Sequence, residues 1–195
     1  ETSSYIVIPV IYLQVDYFQK FYSSIKPEIF TPFEKKKFCL FVSRIDTQPA
    51  KNLLKKMSSI GECIHIKDPK FDILRNKSCY HDITLLNIFN QFKFICCFEN
   101  SIQNGYITEK IFNVFFARAI PIYYGPPDKY RYFNKDSFIE ITDTVSEISF
   151  QQIQNLNKNE HLYTEFLKTP MINKDFDNEN YIKKSQDFID KLKIR

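Results

Sequence analysis

The sequence predicts a fold of the α/β class, a parallel sheet with helices on both faces. Three observations carry this expectation. Short continuous apolar runs (FCLFV at 38–42, FICCF at 94–98, IPIYY at 120–124) have the length and composition of strands buried on both faces. Segments with helical spacing lie between them, and strands alternating with helices give a parallel sheet. A chain of 195 residues, 44% hydrophobic and 26% charged, suits one compact domain, one able to bury roughly 70% of its unfolded surface.

Taken in order, residues 1–30 mix apolar and aromatic residues with Pro9 and Pro27 and read as a connector with a short helix. The run Lys35, Lys36, Lys37 reads as solvated. Strand 38–42 follows. A helix is then expected over 49–60, with Leu53, Leu54 and Met57 at helical spacing and Gly61 as its stop. Residues 62–66 alternate as a second strand, and 67–82 are polar and loop-like. Next come a helix over 83–92 and a third strand over 94–98. A helix over 108–118 has Thr108 as its N-cap and a stripe of Ile111, Val114, Phe115 and Arg118. Strands at 120–124 and 138–141 and helices at 145–157 and 159–168 complete a ligand-binding domain over 31–175. A C-terminal helix is expected within 176–195.

Bulk properties narrow the function. The net charge of +4 fits an anionic small ligand and falls short of the basic stripe that nucleic acid requires. The five cysteines, Cys39, Cys63, Cys79, Cys96 and Cys97, lack zinc or disulfide spacing and favour reduced thiols, with one or two bridges left open. The best apolar run, 6–13, is short and contains Pro9, so no membrane span is expected. A start at Glu1 suggests a piece of a longer chain. Asn76-Lys77-Ser78 is a sequon that matters only in a secretory pathway.

The densest chemistry lies in FENSIQNGYITEKIFNVFFARAIPIYYG, residues 98–125. A charged pair, Glu109 and Lys110, falls in the first turn of a helix. There the unpaired N–H groups and the positive end of the helix dipole favour an anion. Only three glycines occur in the chain, and Gly105 and Gly125 both fall in this block, which suggests backbone demands at those points. The third strand delivers Glu99 and Asn100 to the carboxyl edge of the sheet, where ligands of such folds bind. A surface ion pair on an amphipathic helix, a turn-forming Asn100 and core roles for Tyr106, Tyr123 and Tyr124 are the plain alternatives, and for Tyr123 and Tyr124 the core is preferred. His65, His81 and His161 have no partner at ligand spacing.

FENSIQNGYITEKIF, followed by AIPIYYGPPDKYRYF and then SFIEITD, resembles the donor-binding signature of the α1,3/1,4-fucosyltransferases, glycosyltransferase family ten. The fixed elements stand in order across 98–143, and weaker similarity extends over about 5–160. The resemblance implies the C-terminal, Rossmann-like domain of a GT-B enzyme, with GDP-fucose bound here and the glycan acceptor on an N-terminal domain outside this chain. It implies an inverting, metal-independent fucosyltransferase with no cofactor beyond its donor substrate. Asn100 and Tyr106 match donor-contacting positions, Glu109 the acidic residue that holds sugar-nucleotide hydroxyls, and Lys110 the cation on the diphosphate. Lys51 is the best counterpart of a phosphate-gripping arginine and keeps the charge without the bidentate fork. Glu109 and Lys110 are therefore the expected catalytic pair, with Lys51, Asn100 and Tyr106 completing the donor site.

Lys135 stands where the family often has proline, and Thr144 where an aromatic follows Asp143. The family's general base belongs to the acceptor domain. A D-x-D at Asp175-Phe176-Asp177 lies far from the signature and reads as a solvated acidic turn, so no metal ligand is assigned. Another nucleotide sugar as donor, or a non-catalytic sugar-nucleotide-binding module, remains open beside the enzyme. A dinucleotide-dependent dehydrogenase is disfavoured, because no G-x-G-x-x-G follows the first strand. The compartment follows the host: the Golgi or another glycosylation compartment in a eukaryote, the cytoplasm for a bacterial or viral member.

Overall fold

Five short parallel strands organise the chain. They are β1 (Lys37–Phe41), β2 (Cys63–His65), β3 (Phe92–Phe98), β4 (Ile120–Tyr124) and β5 (Ile139–Glu140), in the spatial order β2-β1-β3-β4-β5. The computed structural model describes residues 30–42, 47–66 and 83–176. The expected connector, the sequon, the 67–82 loop and the 178–193 helix lie outside the described residues, as do Cys79, His81 and Asp177.

The side-chain alternation of the strands sorts the helices into two layers. Cys39 and Phe41 of β1, Phe94, Cys96 and Phe98 of β3 and Ile120 and Ile122 of β4 face one way. Onto them pack α1 (Gln48–Met57), α4 (Glu147–Lys158) and α5 (Glu160–Lys168), through Leu53, Met57, Ile153, Leu156 and Tyr163. Leu40, Ile95, Cys97 and Tyr123 face the other way, under α2 (Ile83–Phe89) and α3 (Glu109–Phe116). Both sheet faces are thus covered, which is why the strands read as unbroken apolar runs. The four described cysteines are free thiols.

The strand order places the functional edge. From β1 the chain moves outward to β2, then returns to the opposite side of β1 as β3. This reversal is a topological switch point, where open α/β sheets bind ligands beyond the strand ends. Helix α1 follows β1 and helix α3 follows β3, so both begin at the edge where β1 and β3 end.

Several boundaries differ from expectation. The helix expected to reach residue 92 stops at Phe89. Phe92 is fully buried and pairs with Lys37 in the ladder, so β3 starts two residues early. Lys93 can sit in this strand because its Nζ donates to the Asn157 carbonyl at 2.9 Å and lies 3.7 Å from the centre of the Phe33 ring. Helix α1 ends at Met57, whose carbonyl accepts from both Ile60 and Gly61. On α3 the buried face is Ile111, Phe112, Val114 and Phe116, with Phe115 half-buried. Arg118 lies exposed beyond the helix end, at φ 51°.

The lysine run is not uniformly solvated. Lys36 is half-buried and its Nζ donates to the carbonyls of Asn90 and Phe92. Burial, and then the nearby Arg118 charge, lower its pKa from 10.5 to about 8. The unfolded chain therefore holds a proton that the folded one has lost between about pH 8 and 10.5, and stability rises with pH in that window. Compared with Lys36→Met, the wild type should gain on the order of 1–2 kcal/mol across it, allowing for partial exposure. Urea unfolding at pH 7.5, 9 and 10.5 reads the difference.

Candidate functional site

The segment that leaves β3 is built around one buried carboxylate. Glu99 follows five successive buried residues of the strand, and its side chain is 0% exposed. Its backbone N–H continues the ladder to the Tyr124 carbonyl at 2.9 Å. A carboxylate offers about four lone-pair sites, and four donors meet them. Oε1 accepts from the Thr108 N–H at 2.9 Å and the Tyr123 hydroxyl at 3.0 Å. Oε2 accepts from the Thr108 hydroxyl at 2.7 Å and Lys110 Nζ at 3.4 Å. Burial and then the Glu99 charge push the Tyr123 phenol far above its usual value, so it stays a donor.

This carboxylate changes the helix that follows. Thr108 takes the N-cap position of α3, as expected, but its side chain makes no capping bond. Its hydroxyl is turned to Glu99. The N–H groups of the first turn are then not met by the usual capping oxygen, and they remain suited to an external acceptor. Lys110 leans the same way: its Nζ donates to Thr108 Oγ1 at 3.2 Å as well as to Glu99. The plain alternative, a surface ion pair between Glu109 and Lys110, is not the contact formed. Neighbours in a helix do not face each other, and Lys110 pairs with Glu99 instead. Glu109 sits half-buried at the first helical position, where a negative charge suits the dipole.

A second anchor shapes the loop before the helix. Gly105 has φ 77°, a conformation that L side chains rarely adopt, and its N–H reaches both carboxylate oxygens of Asp128 at 3.0 Å. Asp128 is carried by a 3-10 turn, Pro127–Arg131. Lys129 pins that turn by donating to the Pro126 carbonyl at 3.3 Å and pairing with Glu140. The half-buried Tyr106 therefore stands on a braced loop. Gly125 is needed for space: a Cβ there would lie 2.3 Å from the Tyr123 ring and 2.5 Å from its hydroxyl.

Four of the five expected donor-site residues thus lie on one stretch beyond β3: exposed Asn100, half-buried Tyr106, and Glu109 and Lys110 in the first turn of α3. Lys51 is exposed, four residues into α1, at the same edge of the neighbouring strand. Tyr123 is a core aromatic as expected, with its hydroxyl on buried Glu99, whereas Tyr124 is only half-buried at the edge of the core and its hydroxyl donates to exposed Asp143, both at 3.0 Å. The sequence places Glu99 at the edge but not the four donors that meet it. The signal was there, since an acidic residue flush behind a buried apolar strand must find partners. Asp128 carries no such signal, as its partner is 23 residues away. An open groove of about 1090 Å³ between Phe138 and helices α4 and α5 includes none of the five. Among the described residues no group of three or more His, Cys, Asp or Glu is placed to share a metal ion, and no helix is long and apolar enough to cross a membrane.

A five-stranded parallel sheet covered by helices on both faces, with polar groups beside a helix start at its switch point, defines a Rossmann-like α/β domain. Residues 31–189 match the C-terminal domain model of glycosyltransferase family 10, the fucosyltransferases, and the chain belongs to that family. It is 33% identical over 114 residues to the GDP-fucose protein O-fucosyltransferase 3 of Xenopus laevis, covering 57% of this chain and 24% of the relative. It is 32% identical over 148 residues to the 4-galactosyl-N-acetylglucosaminide 3-alpha-L-fucosyltransferase 9 of Mus musculus, covering 73% and 40%. A solved α1,3-fucosyltransferase with GDP-fucose superposes with a TM-score of 0.60 at 27% identity, over 78% of this chain and 46% of that one. The chain spans less than half the length of each of these proteins.

The close approach of Gly125 to Tyr123 gives a direct test of the scaffold. Gly125→Ala should force the Tyr123 ring aside and loosen its hydroxyl from Glu99, lowering the unfolding free energy by roughly 2 kcal/mol, as over-packing does. Denaturant titration of both proteins measures it.

Proposed function

We propose that this chain is the donor-binding half of an inverting fucosyltransferase. It would hold GDP-fucose for transfer of fucose to a glycan hydroxyl, with the acceptor domain outside the chain. The observation that carries the reading is the first turn of α3, where Lys110 stands beside N–H groups that Thr108 leaves uncapped. That is the chemistry a sugar-linked diphosphate needs. The relatives lend support from another side. Their names share fucose transfer while their acceptors differ, a protein in one and a galactosyl-N-acetylglucosaminide in the other. A segment matched in both is best read as serving the common donor.

The reaction breaks the bond between the fucose anomeric carbon and a β-phosphate oxygen as an acceptor hydroxyl oxygen bonds to that carbon from the opposite face. The bonding pair leaves with GDP, and the acceptor proton passes to a base outside this chain. Charge then grows on the departing diphosphate. Lys110, Lys51 and the α3 N-terminus are the groups here that can stabilise it, one well-placed donor being worth about 3–4 kcal/mol of barrier. With cations in that role we assign no metal. Glu109 is suited to accept hydrogen bonds from sugar-nucleotide hydroxyls, and Asn100 and Tyr106 to flank the donor.

Calorimetry with GDP, GDP-fucose and UDP tests the assignment. The guanine nucleotides should bind at least tenfold more tightly than UDP, and binding of GDP should persist in excess EDTA. Equal affinity for UDP would overturn the donor class in favour of another nucleotide sugar. Lys110→Ala should weaken GDP binding ten- to a hundredfold, the worth of a charge-assisted hydrogen bond, with an unchanged circular dichroism spectrum. Unaltered GDP binding in that variant would remove the site.

A further inference from the structure

We infer that Glu99 is the positioning residue of the donor site, and that it acts through Lys110. The inference rests on the reading of this edge as a GDP-sugar site and assigns a function to a residue that the reading itself leaves out. A lysine ammonium is a flexible point charge with three donors. Here two of the three are spent within the protein, one on Glu99 Oε2 at 3.4 Å and one on Thr108 Oγ1 at 3.2 Å. The Lys110 side chain keeps 20% of its surface exposed. Two fixed acceptors on one side of the nitrogen orient the third N–H away from them, toward solvent at the start of α3. The ammonium is thereby set before a ligand arrives, and less conformational freedom is lost on binding.

The same carboxylate holds the turn from which the first N–H groups project. Its bonds to the Thr108 N–H and hydroxyl keep that hydroxyl from capping the helix. Tyr123 fills the last acceptor site at 3.0 Å and locks the carboxylate plane against β4. Glu99 itself is fully enclosed, so it reaches the ligand only through what it holds. Its bonding would be excessive for a strand-end residue with packing alone to do.

A double-mutant cycle separates positioning from fold support. GDP dissociation constants are measured by NMR titration, carried to millimolar ligand, for the wild type, Glu99→Gln, Lys110→Ala and the double variant. Positioning predicts that Glu99→Gln weakens GDP binding at least fivefold when Lys110 is present and less than twofold when it is absent. An equal factor in both backgrounds would mean that Glu99 merely supports the fold. Tighter binding in Glu99→Gln would mean that the carboxylate competes with the ligand for Lys110. Either result overturns the inference while leaving the site intact, whereas a wild type that does not bind GDP defeats the site assignment and this inference with it. Should Glu99→Gln fail to fold, Thr108→Val, which removes the hydroxyl between Glu99 and Lys110, carries the same cycle with the same expected non-additivity.

Discussion

A carboxylate buried at the end of a central strand is the constraint around which this domain is arranged. An ionised group cannot be enclosed without partners, and the chain supplies them from three places in sequence: Thr108 before the helix, Lys110 within it and Tyr123 on the next strand. Each partner brings its own element to the carboxyl edge of β3. Removing the carboxylate would orphan up to four donors, each at roughly 1–3 kcal/mol. The loop, the helix start and β4 are thus tied into one unit whose outer surface bears Asn100, Tyr106, Glu109 and Lys110.

Function follows from how those bonds are distributed. A threonine at an N-cap ordinarily serves the helix; here its hydroxyl serves Glu99, and the first turn is left without its usual side-chain cap, which the proposed donor site uses. The flanking loop is held separately, through Gly105 and Asp128, so that Tyr106 is braced without drawing on the Glu99 network. Helix α1 brings Lys51 from the neighbouring strand, on the opposite side of the switch point.

Much of this was legible in the sequence for a physical reason: buried parallel strands read as apolar runs, and the signature compresses strand end, loop and helix start into consecutive residues. The apolar run 120–124 matches β4 to the residue, and the resemblance carried by the residues of 98–143 points to the family that the domain model confirms. Hidden features involve contacts between distant residues or a choice among chemically equivalent partners. Phe92 fits a helix by pattern and joins β3 because Lys37 pairs with it. Lys36 reads as solvated because no local pattern reveals the carbonyls of Asn90 and Phe92. Lys110 shows its place in a helix start in the sequence, and its ion pair with Glu99, eleven residues back, only in the geometry. Gly125 reads as a backbone demand, and its physical content is room for the Tyr123 ring.

Among the described residues the polar edge at the start of α3 is distinct from the open groove beside α4 and α5. Backbone amide shifts of the chain during a GDP titration discriminate between them in one experiment. If the nucleotide seats against the Glu99-anchored turn, the amides of Asn100 and of Thr108, Glu109 and Lys110 should move first and furthest. Shifts confined to residues such as Glu147, Gln151 and Leu162, with the α3 start silent, would contradict the account.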